Sequence, residues 1–278
     1  MEQKIPIPTL HLFPVLHRLL IELLTSLTPE DWQKPTVAKL WTVKDIAAHL
    51  LDVNVRNIAT LHGYEPPVIA QINSYSDLVC YLNQLNATWV NAMHRVSPQL
   101  LTDLMVSTGE QHIAYLYTLD PFAQSQYSVA WAGEETSLNW FHIAREYTEK
   151  WHHQQQIRDA VGKTGLITKE LFYPCIATFM YALPYTYRNT FAKNGTVIKI
   201  TVSTEAGGDW YLQSEGNSWQ LTTAAPNAPV ITSVVLPPDT AWKLFTKAIP
   251  GNIAMRDSSI SGDEKLALGV FGTIAVMA

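Results

Sequence analysis

The chain has 278 residues, enough for one large domain or two ordinary ones. With 47% hydrophobic residues it can bury a sizeable core, and a net charge of −5 argues against a nucleic-acid partner, which calls for a basic excess. Cys80 and Cys175 lie far apart without CxxC or zinc-finger spacing, so both are expected as buried free thiols in a reducing cytoplasm.

The first residues lack an apolar stretch followed by a small-residue cleavage site, so no signal peptide is expected. The apolar run over 10–24 is interrupted by His11, Pro14, His17, Arg18 and Glu22, too short and too polar to span a bilayer. A cytoplasmic protein with no membrane contact is expected. Phe13, Leu16, Leu20, Leu23 and Leu24 form the stripe of a helix over about 8–27. A loop with Pro29, Pro35 and Trp41 follows. Thr42-Val43-Lys44-Asp45 is a capping pattern: the Thr hydroxyl accepts from the Asp45 amide and the carboxylate reaches back. That second helix should run to about His62.

A third helix is predicted from near Ser76, capped by Ser76 or Asp77, to about Val96, with Pro98 as its breaker. Residues 97–135 read as a long irregular stretch with a short helix, a lid and an Asp120-Pro121 turn. A fourth helix starts near Thr136 or Ser137 and stops before Gly162, a C′ glycine. A further helix is predicted over about 168–185.

Near residue 190 the pattern changes. Runs such as 196–202 and 230–235 are β-branched, and Gly207-Gly208 and Gly216-Asn217 mark turns. A boundary at 189–195 divides the chain into a helical bundle, 1–190, and a small α/β domain, 191–278. In the tail, Pro237-Pro238-Asp239-Thr240 starts a helix, and the apolar run over 266–277 reads as another despite Gly269 and Gly272.

The chemistry lies on the second and fourth helices. Residues four apart share a helical face, so Glu149 and His153 point the same way, in a polar stripe with His142, Arg145 and Gln156. A solvated helix face is the alternative, although such faces are usually rich in Lys and Glu. His49, flanked by Ile46, Ala47, Leu50 and Leu51, reads alone as a core histidine. Facing helices of a bundle are a natural place to assemble ligands, so His49, Glu149 and His153 together become a candidate site for one divalent metal. Two imidazoles and a carboxylate suit zinc foremost, though nickel, iron or manganese would also bind, and three protein ligands leave a position open.

Residues 41–50, then Thr148-Glu149-Lys150-Trp151-His152-His153 and Gln156-Ile157-Arg158, resemble the DinB-like metal-dependent bundle superfamily, and within it the mycothiol-dependent maleylpyruvate isomerase branch. Residues 236–242 and 260–267 resemble the sterol-carrier-like domain that follows the bundle there. The resemblance implies metal ligation by His49, Glu149 and His153, with His152 turned off that face. It implies a low-molecular-weight thiol as cofactor, a small-molecule substrate, and an isomerase or thiol transferase. A metal-dependent hydrolase, or a non-enzymatic ligand-binding protein with a structural metal, would use the same bundle. Arg145, one turn before Glu149, is the candidate catalytic group for holding a substrate carboxylate, against the alternative of a surface arginine paired with Glu149 or Glu146. Gln156 is a candidate to orient His153, and Arg56 lies on the ligand side of the second helix. Trp89, Trp140, Trp151 and Trp242 read as core before pocket walls.

Overall fold

Caps and prolines set the helix boundaries of the first half of the chain. The computed structural model describes residues 3–64 and 71–277. Pro14 sits in the first turn of α1 (Phe13–Thr25), where its missing N–H leaves no helical bond unmade. Thr42 caps α2 (Val43–Leu61) with both halves of the capping box in place. Ser74, rather than Ser76 or Asp77, caps α3 (Tyr75–Met93) by accepting from the Asp77 amide. Ser97 caps α4 (Pro98–Tyr117). The chain then passes through an irregular segment into α5 (Asn139–Val161), closed by Gly162 at φ 68°, the left-handed conformation that a helix C′ position favours.

The expectation of an irregular stretch over 97–135 is overturned at α4. Pro98 opens a 20-residue helix rather than merely ending one. The buried stripe of α4, Leu101, Thr102, Met105, Gly109, His112 and Leu116, has helical spacing. Half of it is Thr, Gly and His, so no apolar period announces it. Gly109 is there for packing: a Cβ on it would lie 2.1 Å from the His17 ring.

Two compact units divide the chain, one mainly 9–123 with 149–164, the other mainly 124–148 with 165–276. The first is a helical bundle. Its core joins Leu20, Leu23 and Leu24 of α1, Ile46, Ala47, Leu50 and Leu51 of α2, Leu101 and Met105 of α4, and Ile157 of α5. Each of the buried Leu, Ile and Met side chains among these contributes about 1.5–3 kcal/mol. α3 is more peripheral. Only Asn86 and Val90 of it are buried, and Trp89 Nε1 donates to the Ala48 carbonyl at 2.8 Å. The third helix of the bundle core is therefore α4, not the 76–96 helix. Both cysteines are free thiols, but Cys80 on α3 is exposed, contrary to expectation, while Cys175 is buried.

The second unit holds the start of α5, α6 (Lys169–Met180), α7 (Ala182–Thr186) and the mixed sheet. The sheet comprises β1 (Val197–Val202), β2 (Gly208–Glu215), β3 (Ser218–Thr222), β4 (Val230–Leu236) and β5 (Ser259–Gly262), in the order β3-β2-β1-β4-β5. β1 and β4 are parallel and the other pairs antiparallel. Gly216, at φ 61°, makes the tight turn between β2 and β3. Ile200 pairs with Trp210 on one side and Val234 on the other, and all three are buried. The same unit also holds α8 (Pro238–Phe245), α9 (Gly251–Arg256) and α10 (Glu264–Phe271). α10 is capped by Asp263 and stops at Phe271, short of the helix expected to 277. The change from helix to strand falls between α7 and β1, where the composition changes, and the α + (α+β) class is the one the chain adopts. No helix among the described residues is long and apolar enough to cross a membrane.

Candidate metal centre

The cap of α2 fixes where His49 sits. Asp45 Oδ2 accepts from the Thr42 amide at 2.9 Å and the Thr42 hydroxyl at 2.8 Å, so the helix begins at a defined residue. His49 follows one turn later, on a segment where every residue from Asp45 to Asn54 is buried. On α5, Glu149 Oε2 lies 3.4 Å from His153 Nε2, as the four-residue spacing requires. The His49 and His153 rings are 4.6 Å apart at 71°. One ligand atom from each of His49, Glu149 and His153 lies within 4.8 Å of the others. Lys150 ties the same stretch of α5 to α2 by donating to the Leu50 carbonyl at 3.1 Å and to Asn54 Oδ1 at 2.5 Å.

The protonation chemistry suits a cation. Burial, then the neighbouring His153, holds the His49 imidazole well below its ordinary pKa and so keeps it neutral. Burial pushes the Glu149 carboxyl up, but His152, His153 and His49 outweigh it, and the net shift is down, to the ionised form. His153 Nδ1 is 2.8 Å from Gln156 Oε1. The amide oxygen accepts the ring N–H there, which leaves Nε2 to face Glu149 and an ion. His49 Nδ1 is buried with no hydrogen-bond partner among the described residues, a polar atom left for some further ligand or support to explain. Two imidazoles and a carboxylate in this arrangement fit one borderline divalent ion.

The remaining sequence candidates are placed as follows. Arg145 donates through its Nη2 to His142 Nδ1 at 2.7 Å and to Glu146 Oε1 at 3.0 Å. Its carboxylate partner is thus Glu146. Its Nε is buried without a partner among the described residues. His142 is buried, and burial first, then Arg145, lowers its pKa to about 4. Gln156 does orient His153. His152, off the ligand face, is buried at 3% exposure; its ring lies 3.9 Å from that of His153, and it is not one of the three converging groups. Arg56 pairs with Asp52 at 3.1 Å. Trp151 and Trp242 are core, while Trp140 lines a cavity of about 300 Å³ with Gln124, Glu134 and Thr136. Sequence reasoning passed over Trp41, whose ring packs 4.9 Å from His49 and 6.2 Å from His153. Its place just ahead of the Thr42 cap was the available signal.

The sequence profile described as Mycothiol maleylpyruvate isomerase N-terminal domain matches residues 13–158. Two solved structures are similar over both units. One is the mycothiol-dependent maleylpyruvate isomerase, at 12% identity and TM-score 0.52, covering 94% of this chain and 96% of that one. The other is a histidine-to-alanine variant of that isomerase, at 11% identity, with the same TM-score and coverage. At these identities the likeness shows a shared fold. No curated protein matches the sequence.

Proposed function

The chain belongs to the mycothiol maleylpyruvate isomerase N-terminal domain family, and on that premise we propose that it is a metal-dependent isomerase or thiol transferase that uses a low-molecular-weight thiol. The supporting observation is the convergence of His49, Glu149 and His153 from two helices remote in sequence. His49, Glu149 and His153 would hold a divalent ion, zinc foremost, which would supply Lewis acidity to lower the pKa of a bound thiol. The chain's own groups do the rest. His49 offers a neutral imidazole, Glu149 offers charge, and Gln156 holds the His153 tautomer. Arg145 is the proposed catalytic group for a substrate carboxylate: its guanidinium is fixed by His142 and Glu146 and keeps its Nε donor. The exposed Cys80 thiol fits a reducing cytoplasm, and the division into a bundle, 1–190, and a sterol-carrier-like tail, 191–278, belongs to the same reading.

The test is turnover by zinc-loaded protein on cis-dienoates and on electrophiles, with and without added low-molecular-weight thiols. Thiol-dependent turnover that is lost in Glu149→Gln is the expected result. Ester or amide cleavage that needs no thiol would replace this reading with a hydrolase.

A further inference from the structure

Two imidazoles in the metal centre are held in different ways. His153 has an orienting hydrogen bond, Nδ1 to Gln156 Oε1 at 2.8 Å. His49 Nδ1 is buried and has no such bond among the described residues. A metal-ligating imidazole normally needs its ring plane fixed by a partner on the other nitrogen. Apart from the His153 ring, its fellow ligand at 4.6 Å, what lies against the His49 ring is the Trp41 indole, with centroids 4.9 Å apart and planes at 40°.

Trp41 is itself anchored. Its carbonyl accepts from the Thr36 hydroxyl at 2.8 Å and from the Thr36 amide at 3.1 Å. Its amide donates to the Ala38 carbonyl at 2.7 Å. A bridge pairs Pro35 with Thr42, which places Trp41 directly beside the α2 cap. The side chain packs against the bundle core as a partly buried group. The loop thus delivers a large flat ring at a fixed height over the His49 side chain. An aromatic face also attracts an imidazole that becomes more positive on giving its lone pair to a cation.

We infer that Trp41 is a positioning residue for the metal centre, holding the His49 ring by aromatic packing where His153 is held by a hydrogen bond. The inference rests on the proposed metal site and deepens it. Trp41 need not be a ligand or touch substrate. Its effect is on how tightly the three ligands capture an ion.

The experiment measures metal affinity by competition with a chromophoric chelator, and the ligand-field spectrum of the cobalt-substituted protein, for wild type, Trp41→Phe and Trp41→Ala. Far-UV circular dichroism of each metal-free protein checks folding. Trp41→Ala should bind one ion at saturation with affinity reduced by about 10–100-fold, the range found for loss of a group that orients a ligand, and with an altered cobalt spectrum. Trp41→Phe, which keeps a flat ring, should recover most of the affinity. Wild-type affinity and spectrum in Trp41→Ala would overturn the role of Trp41 while leaving the metal site standing, and so would a loss in Trp41→Phe as large as in Trp41→Ala. If Trp41→Ala fails to fold, the Trp41→Phe and Trp41→Leu pair decides: equal affinities there overturn the inference, and weaker binding by Trp41→Leu supports it. Failure of the wild-type protein to take up any ion would be the different result, one that removes the proposed function itself.

Discussion

Asp45 Oδ1 lies 2.9 Å from His94 Nε2, while its other oxygen is engaged by Thr42. One carboxylate therefore closes the start of α2 and ties it to the C-terminal end of α3, where His94 is the capping residue. His49 sits on the second turn of α2, directly after this capped first turn, so the order of the cap bears on the metal centre. Thr42→Ala should lower stability to urea unfolding by about 1 kcal/mol. Asp45→Ala removes three contacts and should cost more than Thr42→Ala. Equal stabilities of the two variants would show that the link to His94 contributes nothing.

Metal binding should register as stability. An ion that binds the folded chain alone adds about 2.7 kcal/mol at a hundredfold excess over its Kd. Zinc is expected to raise the Tm of the wild-type protein, and to leave those of Glu149→Gln, His153→Ala and His49→Ala nearly unchanged. His152→Ala should keep one ion per chain, because His152 is not among the converging ligands. Gln156→Leu should keep the stoichiometry with weaker affinity. A His152→Ala protein as metal-poor as His153→Ala would mean that the ligand set is assigned to the wrong residue of the pair.

The metal-free protein should lose stability as the pH falls from about 6.5 towards 4. Burial, then Arg145, lowers the folded pKa of His142 to about 4, and the Arg145 Nη2 donating to its Nδ1 explains why the ring stays neutral. The unfolded chain takes up that proton near its ordinary value of about 6.5, so over this window the unfolded state holds more protons and is favoured by acid. Burial acts on His49 in the same direction. Glu149 has the opposite kind of shift, since its folded pKa is depressed; its contribution is present above the unfolded carboxyl pKa of about 4.5 and is lost only at lower pH. For His142 the effect is on the order of 3 kcal/mol at most. His142→Gln, which keeps an acceptor for Arg145, should flatten the dependence measured by urea unfolding at pH 7, 6 and 5. An unaltered slope would assign the effect elsewhere.

Gly109 and His17 should behave as a coupled pair. A Cβ at Gly109 meets the His17 ring at 2.1 Å, so Gly109→Ala should destabilise by about 1–3 kcal/mol through overpacking. His17→Ala opens that space, and the double variant should recover part of the loss, giving a non-zero coupling in the double-mutant cycle. Strict additivity would show that the ring moves aside without cost.

Local chemistry was legible in the sequence; longer-range packing was not, apart from the meeting of His49 with Glu149 and His153, which the bundle pattern and the family resemblance implied. The Thr42–Asp45 cap, the Gly162 stop and the four-residue step from Glu149 to His153 are written in adjacent residues, because caps and helical faces depend on the backbone within one or two turns. The change from helix to strand near residue 190 was visible for the same reason, in β-branched runs and turn glycines. α4 was hidden because its inward stripe uses Gly109 and His112, residues whose fitness depends on what faces them. Gly109 serves as a helix residue only because His17 fills the space beside it. The partner of Arg145 could not be chosen from spacing alone, since Glu146 and Glu149 are both within its reach; side-chain geometry selected Glu146. Trp41 precedes the cap in a loop, and no periodicity says which way a loop side chain turns. Its packing on His49 was decided by the tertiary fold, through the Thr36 and Ala38 bonds that hold the loop backbone.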